Sequence, residues 1–271
     1  RHGMSLTTND QQALDDLRFA FGRDELGPAV AGYLQRLVQT CHYFAGARTA
    51  KILFCARAGV RIRHALDVYL SRCGQSVPDA WEHFWVSRMM IAKGIWHRAP
   101  DQAAALFDRE FRHTPPEIAN DCILGRQVGK AADTWRQTGK PTGIGRALLR
   151  KDAKLADALK HLDEQSELFE RKLKTVTADH ASCLLVDTGW LATSQRLLQA
   201  GFPEIEWWGA YFGLSAVGHD GASKAHWAQA IGLVLQGDHV DPERPETCVV
   251  EHRHMIEDVF EPNGPSIEAF E

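Results

Sequence analysis

The sequence lacks the features that identify several common classes of protein. It contains no apolar run close to the roughly 20 residues that a membrane-spanning helix needs, and its N-terminus shows no signal-peptide pattern. Neither a GxxxxGK-S/T phosphate loop nor a GxGxxG dinucleotide loop is present. The sequence therefore predicts no transmembrane segment, and a phosphate-binding loop would have to take a different form.

A surplus of basic residues is also missing. The chain has 31 Lys and Arg against 35 Asp and Glu, a formal net charge of −4, which argues against a general nucleic-acid binder. Its six cysteines show no CxxC spacing, and this favours a reducing, cytoplasmic compartment. His252 and His254, with Glu251 and Glu257 nearby, lack the compact ligand set of a structural zinc site, so no protein-held metal is predicted.

Short apolar segments predict the strands of an α/β protein. The 271 residues, 44% of them apolar, are enough to bury a substantial core. Strands are predicted at 51–55, 183–186, 205–212 and 231–235, with a weaker candidate at 84–86. Helices are predicted through the first 46 residues, from 62 to 69 and over 246–260. Because strands alternate with helices, the expected fold is a mostly parallel, Rossmann-like sheet.

The segment 98–178 differs from the rest because it has few β-branched residues and is rich in helix formers. We therefore predict a helical insertion or cap, 98–178, on an α/β core of 4–97 and 179–271. Within it, apolar positions recur at steps of four and three: Leu155, Leu159, Leu162, Ser166, Phe169 and Leu173. This spacing predicts an amphipathic helix, either packed within the chain or, less favoured at this length, forming a dimeric coiled coil.

The strongest chemical signal follows the strand predicted at 183–186. Asp187 ends that strand, small and hydroxyl residues follow, and a helix is expected to begin near Ser194. Such a helix N-terminus can bind a phosphate monoester, with Asp187 placed to accept hydrogen bonds from sugar hydroxyls. The predicted phosphate contacts are Thr188, Gly189, Trp190, Ala192, Thr193 and Ser194. The alternative is that a hydroxyl simply caps the next helix.

A second strand-to-helix turn, at 54–61, carries two arginines. Arg57 and Arg61, with Gly59 between them, could hold a diphosphate, since guanidinium groups match phosphate geometry. Ser87 and Arg88, after the weaker strand, could add an anion contact. The alternative for these arginines is a surface turn in solvent. Three aromatic residues could stack on a sugar or, alternatively, belong to the core: Trp207, Trp208 and Tyr211.

These segments resemble loops of the phosphoribosyltransferases. The 187–194 stretch resembles the loop that cradles the ribose 5-phosphate of phosphoribosyl pyrophosphate (PRPP), and 56–59 resembles the pyrophosphate loop. Asp187 departs from the pattern, because it stands alone where ordinary members have two acids. A closer resemblance is to the ribofuranosyltransferase modules of bacterial capsule and O-antigen synthesis, and it covers 54–59, 86–88, 186–190 and a turn at 262–266.

The resemblance implies a phosphoribosyltransferase-like fold and a cytoplasmic enzyme that meets the inner membrane face through its partners. It would transfer ribose 5-phosphate from PRPP to a hydroxyl of a glycan or lipid-linked oligosaccharide and release pyrophosphate. Mg²⁺ would accompany the pyrophosphate. A HAD-type phosphatase would then remove the 5-phosphate, and other glycosyltransferases would act alongside.

Position 58 departs from the resemblance, which implies an acid between Arg57 and Gly59. Ala58 replaces an acid that the resemblance implies to be the general base or a metal contact, so the chain is predicted to be inactive, whether the alanine was engineered or arose by natural divergence. Two alternatives stay open: a phosphohydrolase acting on a sugar phosphate, and a non-catalytic module that docks glycan-assembly enzymes.

Overall fold

The computed structural model describes residues 8–126, 143–178, 180–215, 228–237 and 241–261. The strands are β1 (Lys51–Cys55), β2 (Glu82–Phe84), β3 (Ser182–Trp190), β4 (Glu206–Leu214) and β5 (Ala230–Gln236). The helices are α1 (Thr8–Phe21), α2 (Gly27–Ala47), α3 (Ala58–Arg72), α4 (Arg88–Gly94), α5 (Pro100–Glu110), α6 (Pro116–Ile123), α7 (Ile144–Leu149), α8 (Ala156–Thr177), α9 (Thr193–Gly201) and α10 (Arg253–Phe260). A π-helix covers Gly22–Leu26, and 3-10 helices cover Ala153–Leu155 and Pro245–Val250.

All five strands are parallel and form one sheet in the order β2-β1-β3-β4-β5. The predicted α/β class with a mostly parallel, Rossmann-like sheet is therefore confirmed. The strand order reverses between β1 and β3, because the chain moves from β1 to one edge and from β3 to the other. In open α/β sheets, ligands bind outside the carboxyl ends of the strands at such a reversal.

Helices cover both faces of the sheet, which is why its central strands are continuous apolar runs. Side chains alternate between the faces: Leu53 and Leu185 lie in one hydrophobic cluster, and Phe54 and Val186 lie in the other. Helices α2, α3 and α10 contribute to the second cluster, whereas α4 to α9 contribute to the first.

The described helices between residues 98 and 178 share one hydrophobic cluster with the sheet. Phe107 of α5 and Phe169 of α8 belong to the cluster that also contains Leu53 and Trp207. Helix α8 lies against α4, and the Ser166 hydroxyl donates a hydrogen bond to the Gly94 carbonyl at 2.9 Å. The amphipathic helix is confirmed and is packed within the chain, while the division into core and cap stays a prediction.

Three predicted boundaries are corrected. Strand β3 extends four residues beyond 186, because β4 also continues and pairs with it as far as Trp190. Strand β2 ends at Phe84, after which Trp85 is half exposed and Val86 turns back to the Phe84 carbonyl. The helix predicted over 246–260 is divided into the 3-10 helix and α10 by a turn at 251–252. Among the helices that the structure describes, none is long and apolar enough to span a membrane.

Candidate active site

A pocket of about 490 Å³ opens at the carboxyl ends of β1 and β3, where the strand order reverses. Two segments form most of it: the β1–α3 segment (residues 55–61) and the β3–α9 segment (residues 187–194). The wall is completed by residues that follow β2, by residues of β4 and its end, and by α10. The lining residues are Cys55, Ala56, Arg57, Ala58, Val86, Ser87, Arg88, 187–194, Tyr211, Ser215, Arg253, Glu257 and Glu261.

The pocket brings together most of the residues that the sequence predicted to act at one site. Arg57, Ala58, Ser87 and Arg88 line it, as do Asp187 with all six predicted phosphate contacts and Tyr211. Four predicted site residues are not among the lining residues: Gly59, Arg61, Trp207 and Trp208. The turn at 262–266 lies outside the described residues.

The β3–α9 segment turns sharply at the edge of the pocket. Asp187 and Thr188 lie within β3, so the acid precedes the strand end rather than marking it, and only 191–192 separate the strand from α9. Gly189, with φ of +96°, could carry no Cβ, because that atom would lie 2.4 Å from the Tyr211 Cβ. The glycine therefore allows close approach of β4, and the turn delivers the N-terminus of α9 to the pocket.

The N-terminus of α9 has the properties of an anion-binding site. The first backbone N–H groups of a helix have no intrahelical acceptor, and the helix dipole favours negative charge there. The Thr193 side chain lines the pocket, is more than nine-tenths buried, and its hydroxyl has no hydrogen-bond partner within the described part of the chain. A buried hydroxyl of this kind is costly unless it is satisfied, and a phosphate oxygen at the start of α9 is one acceptor that would satisfy it.

A buried hydrogen-bond network holds α9 on β4. The Gln195 side chain is fully buried, and its amide nitrogen donates to the carbonyls of Trp207 at 2.9 Å and Gln229 at 3.0 Å. Its amide oxygen accepts from the Tyr211 hydroxyl at 3.0 Å. Burial raises the pKa of Tyr211 well above its usual value, so the phenol stays a neutral donor. The network fixes the direction in which α9 meets the pocket.

Asp187, the first residue of the β3–α9 segment, lines the pocket and carries a perturbed carboxyl group. Its Oδ1 accepts a hydrogen bond from the Thr188 backbone N–H at 2.8 Å. Desolvation raises the pKa of Asp187 from 3.8 to about 7, with smaller raising contributions from Glu261 and Glu257. The Thr188 N–H and Arg88 act in the opposite direction. A carboxyl group with this pKa can accept or donate a proton near neutral pH.

The two arginines of the β1–α3 segment have different positions. Arg57 lines the pocket, and its Nη2 donates to Oε2 of Glu261 at 2.7 Å. Arg61 lies outside, because its Nη1 donates to the backbone carbonyls of Val259 at 3.0 Å and Asp258 at 3.4 Å, near the end of α10. Of the two arginines predicted to contact the anion, Arg57 therefore lines the pocket, whereas Arg61 attaches α10 to α3. The peptide bond between Ala56 and Arg57 is cis.

The remaining residues of these turns combine structural contacts with pocket exposure. Gly59 is buried, and a Cβ there would lie 2.6 Å from the Phe54 carbonyl carbon, so the glycine allows α3 to pack on β1. Ser87 lines the pocket and also caps α4, because its hydroxyl accepts from the Met90 N–H at 3.2 Å. Arg88 lines the pocket at the start of α4, and its guanidinium lies 3.7 Å from the Glu110 carboxylate.

The structure places the two predicted tryptophans in the cores, which is the alternative that the sequence had left open. Trp207 is fully buried, and its indole N–H donates to the Phe202 carbonyl at 3.0 Å. Trp208 packs on the opposite face against Phe44, with the Arg48 guanidinium over its ring. Adjacent strand residues point to opposite faces, so both cannot line one pocket.

No protein-family model matches this chain, and no curated protein and no solved structure matches it either. A functional assignment must therefore depend on the pocket itself. Its geometry and its charges supply the evidence, with the sequence resemblance as a separate guide.

Helix α10 contributes site residues that sequence reasoning had not assigned to the pocket. Arg253 and Glu257 of the helix and Glu261 just after it line the pocket, whereas Ile256 and Phe260 are buried beneath. The signal was present in the sequence, because charged residues at steps of four share one face of a helix. Burial, and then the neighbouring Glu261, raise the pKa of Glu257.

The described residues contain no group of three or more His, Cys, Asp or Glu side chains that could hold a metal ion. His252 and His254, the pair noted in the sequence, are exposed, and their ring centroids lie 6.2 Å apart. A metal ion held by the protein alone does not fit this site. Mg²⁺ that enters on a diphosphate needs few protein ligands, and it stays a prediction.

Proposed function

We propose that this chain is a phosphoribosyltransferase-type glycosyltransferase that moves ribose 5-phosphate from PRPP to a hydroxyl of a bacterial polysaccharide acceptor. One observation carries the proposal. A single pocket is lined by the N-terminus of α9, whose Thr193 hydroxyl has no partner among the described residues, by Arg57 and Arg88, and by the Asp187 carboxyl at the start of the β3–α9 segment. This is the arrangement that a sugar with a phosphate at one end and a pyrophosphate at the other requires.

The monophosphate end of the donor fits the β3–α9 segment. A phosphate group there would accept hydrogen bonds from the Thr193 hydroxyl, the Ser194 hydroxyl and the first N–H groups of α9. The pocket volume of about 490 Å³ lies within the range of roughly 300–1,000 Å³ that is typical for small-molecule sites. Helix α9 is held in place by Gln195, so this half of the site is formed before the donor binds.

The pyrophosphate end fits the arginine side of the pocket. Arg57 and Arg88 both line it, and guanidinium groups bind phosphate oxygens in pairs. Asp187 would accept hydrogen bonds from the ribose hydroxyls. Since the described residues offer no three-ligand metal group, the proposal assigns Mg²⁺ to the donor's diphosphate, where it would neutralise leaving-group charge.

The chemistry breaks the bond between the anomeric carbon and a pyrophosphate oxygen and forms a bond to the acceptor oxygen. Arg57 and Arg88 would stabilise the charge that develops on the leaving pyrophosphate. The acceptor hydroxyl must lose a proton, and Ala58 offers no group to take it. Asp187 is the remaining carboxyl of the two segments, with a pKa of about 7 that suits proton transfer. We therefore expect weak transfer by this chain and stronger transfer once an acid is present at position 58.

The biological setting follows from the resemblance and belongs to the same proposal. The acceptor would be a growing glycan or a lipid-linked oligosaccharide at the cytoplasmic face of the inner membrane. A HAD-type phosphatase would remove the 5-phosphate after transfer, and other glycosyltransferases would extend the product.

Calorimetric titration with PRPP, with and without Mg²⁺, and with ribose 5-phosphate tests the donor assignment. We expect PRPP to bind about tenfold more tightly than ribose 5-phosphate, because charge-assisted hydrogen bonds to the pyrophosphate add about 1.4 kcal/mol. Absence of binding by either compound would contradict the assignment and favour the docking module.

The chemistry is tested with the Ala58→Asp variant and a glycan acceptor. Ribosyl transfer with release of pyrophosphate is expected. Release of inorganic phosphate from PRPP or ribose 5-phosphate, without transfer, would favour the phosphohydrolase instead.

A further inference from the structure

Arg57, one of the arginines that line the pocket, is held by a carboxylate just after α10. Arg57 and Glu261 form an ion pair at 2.7 Å, with 35% and 34% of their side chains exposed. Glu261 follows directly after α10, and Phe260 beside it is buried in the core. Arg61 also holds this end of the helix through the carbonyl of Val259. The end of α10 is therefore held in place by its contacts with the core and with Arg61, and it positions the Glu261 carboxylate beside Arg57.

An anion that binds Arg57 has to compete with this carboxylate. Glu261 and a pyrophosphate oxygen carry the same sign of charge and use the same guanidinium N–H groups. The pair is partly exposed, so solvent screens it and it can be broken at modest cost. Every ligand that contacts Arg57 bears this cost, and a ligand that contacts only the β3–α9 segment does not.

We infer that Glu261 is a competing residue, whose carboxylate occupies Arg57 in the free pocket and lowers the affinity of every anion there, so that tight binding needs a second anchor such as the sugar phosphate of the donor. Anchoring raises the effective concentration of the pyrophosphate at Arg57, which a free anion lacks. The inference rests on the proposed function, because it takes the incoming anion to be the donor's pyrophosphate. It adds a residue, just after α10, that lowers the affinity of Arg57 for any anion.

The test compares three ligands on three proteins at low salt: inorganic pyrophosphate, PRPP and ribose 5-phosphate, with the unaltered chain, Glu261→Gln and Asp258→Asn. The last variant is the matched control, since Asp258 is an exposed acid on the same helix that does not line the pocket. We expect Glu261→Gln to tighten pyrophosphate and PRPP binding by about fivefold, near the upper end for a partly exposed ion pair. Ribose 5-phosphate binding, and all binding by Asp258→Asn, should stay unchanged.

Unchanged or weaker pyrophosphate binding in Glu261→Gln would overturn the inference, as would an equal gain in Asp258→Asn. A thermal unfolding scan verifies that each variant is folded, and Glu261→Ala, which is expected to show the same gain, provides a second measurement. The two proposals fail separately. PRPP binding without a gain in Glu261→Gln removes only the role of Glu261, whereas a gain for pyrophosphate without any PRPP binding removes only the proposed donor.

Discussion

The two segments that form the pocket satisfy their polar groups in different ways. In the β3–α9 segment, the Thr193 hydroxyl is buried without a partner in the described part of the chain, and α9 is fixed by the Gln195 network. In the β1–α3 segment, Arg57 is already engaged by Glu261. The β3–α9 segment thus presents hydrogen-bond donors that are already in place. At Arg57, in contrast, an incoming anion must replace the Glu261 carboxylate. A site can thus combine a rigid anchor with a contact that is already occupied, and a ligand held by the anchor can still bind when the occupied contact weakens free anions.

The largest expected effect is the loss of stability when the glycine of each segment is replaced by alanine. Gly189→Ala should lower the free energy of unfolding by about 4 kcal/mol, because it adds a positive-φ penalty to steric overlap with β4. Gly59→Ala should cost about 2 kcal/mol, since its Cβ meets the Phe54 backbone at an ordinary φ. Urea unfolding measures both, with Gly46→Ala as the control, because a Cβ there has open space around it. Equal losses in the first two variants would contradict the comparison.

The next largest effect is a pH dependence of the free energy of unfolding that comes from Asp187 in the β3–α9 segment. Folding raises the pKa of its carboxyl from 3.8 to about 7, so the native protein keeps a proton that the unfolded chain releases between these pH values. The free energy of unfolding should therefore fall by about 4 kcal/mol as the pH rises from about 4 to 7, at about 1.4 kcal/mol per pKa unit, and be level above.

Asp187→Asn should remove this component, because the amide cannot ionise. Relative to the unaltered chain, the variant is expected to be more stable at pH 8 by about 4 kcal/mol and similar near pH 4. Urea unfolding at several pH values measures the difference. An equally pH-dependent difference in Asp241→Asn, outside the pocket, would show that the effect is not specific to this carboxyl.

The smallest effects are changes in ligand affinity, and a variant in each segment is expected to weaken the binding of different ligands. Arg57→Ala should weaken pyrophosphate and PRPP binding about tenfold and leave ribose 5-phosphate unchanged, because it removes a charge-assisted contact. Thr193→Val should weaken ribose 5-phosphate and PRPP binding about fivefold and leave pyrophosphate unchanged, because it removes one hydrogen bond. Calorimetry measures both, with the exposed Thr175→Val as the control. If both variants weakened the same ligand alone, the two-ended site would be wrong.

The sequence predicted those parts of the fold that depend on local pattern. The run at 51–55 and the small residues after it specify a strand and a turn, and both lie where expected. The extension of β3 through Asp187 was not visible, because the pairing of Gly189 and Trp190 depends on a strand that lies more than twenty residues away. Local composition carries no information on how far a partner strand continues.

The grouping of Arg57, Arg88 and Asp187 was predictable from the sequence, because each lies near the carboxyl end of a strand and parallel strands bring these ends to one edge of the sheet. The face of each tryptophan was not predictable, since an apolar strand covered by helices on both sides gives no alternation to read. Glu257 and Glu261 could be found only as a spacing of charges on α10, because the helix reaches the pocket from a distant part of the chain.

The buried amide of Gln195 also has a consequence for the order of events when a donor arrives. Because α9 needs no rearrangement, the sugar-phosphate end can dock at a rate set by diffusion and orientation. The contact between Arg57 and the pyrophosphate forms later, because the Glu261 carboxylate must first leave the guanidinium group. Stopped-flow records with PRPP should therefore show a concentration-dependent phase followed by a concentration-independent one, and ribose 5-phosphate should show the first phase alone.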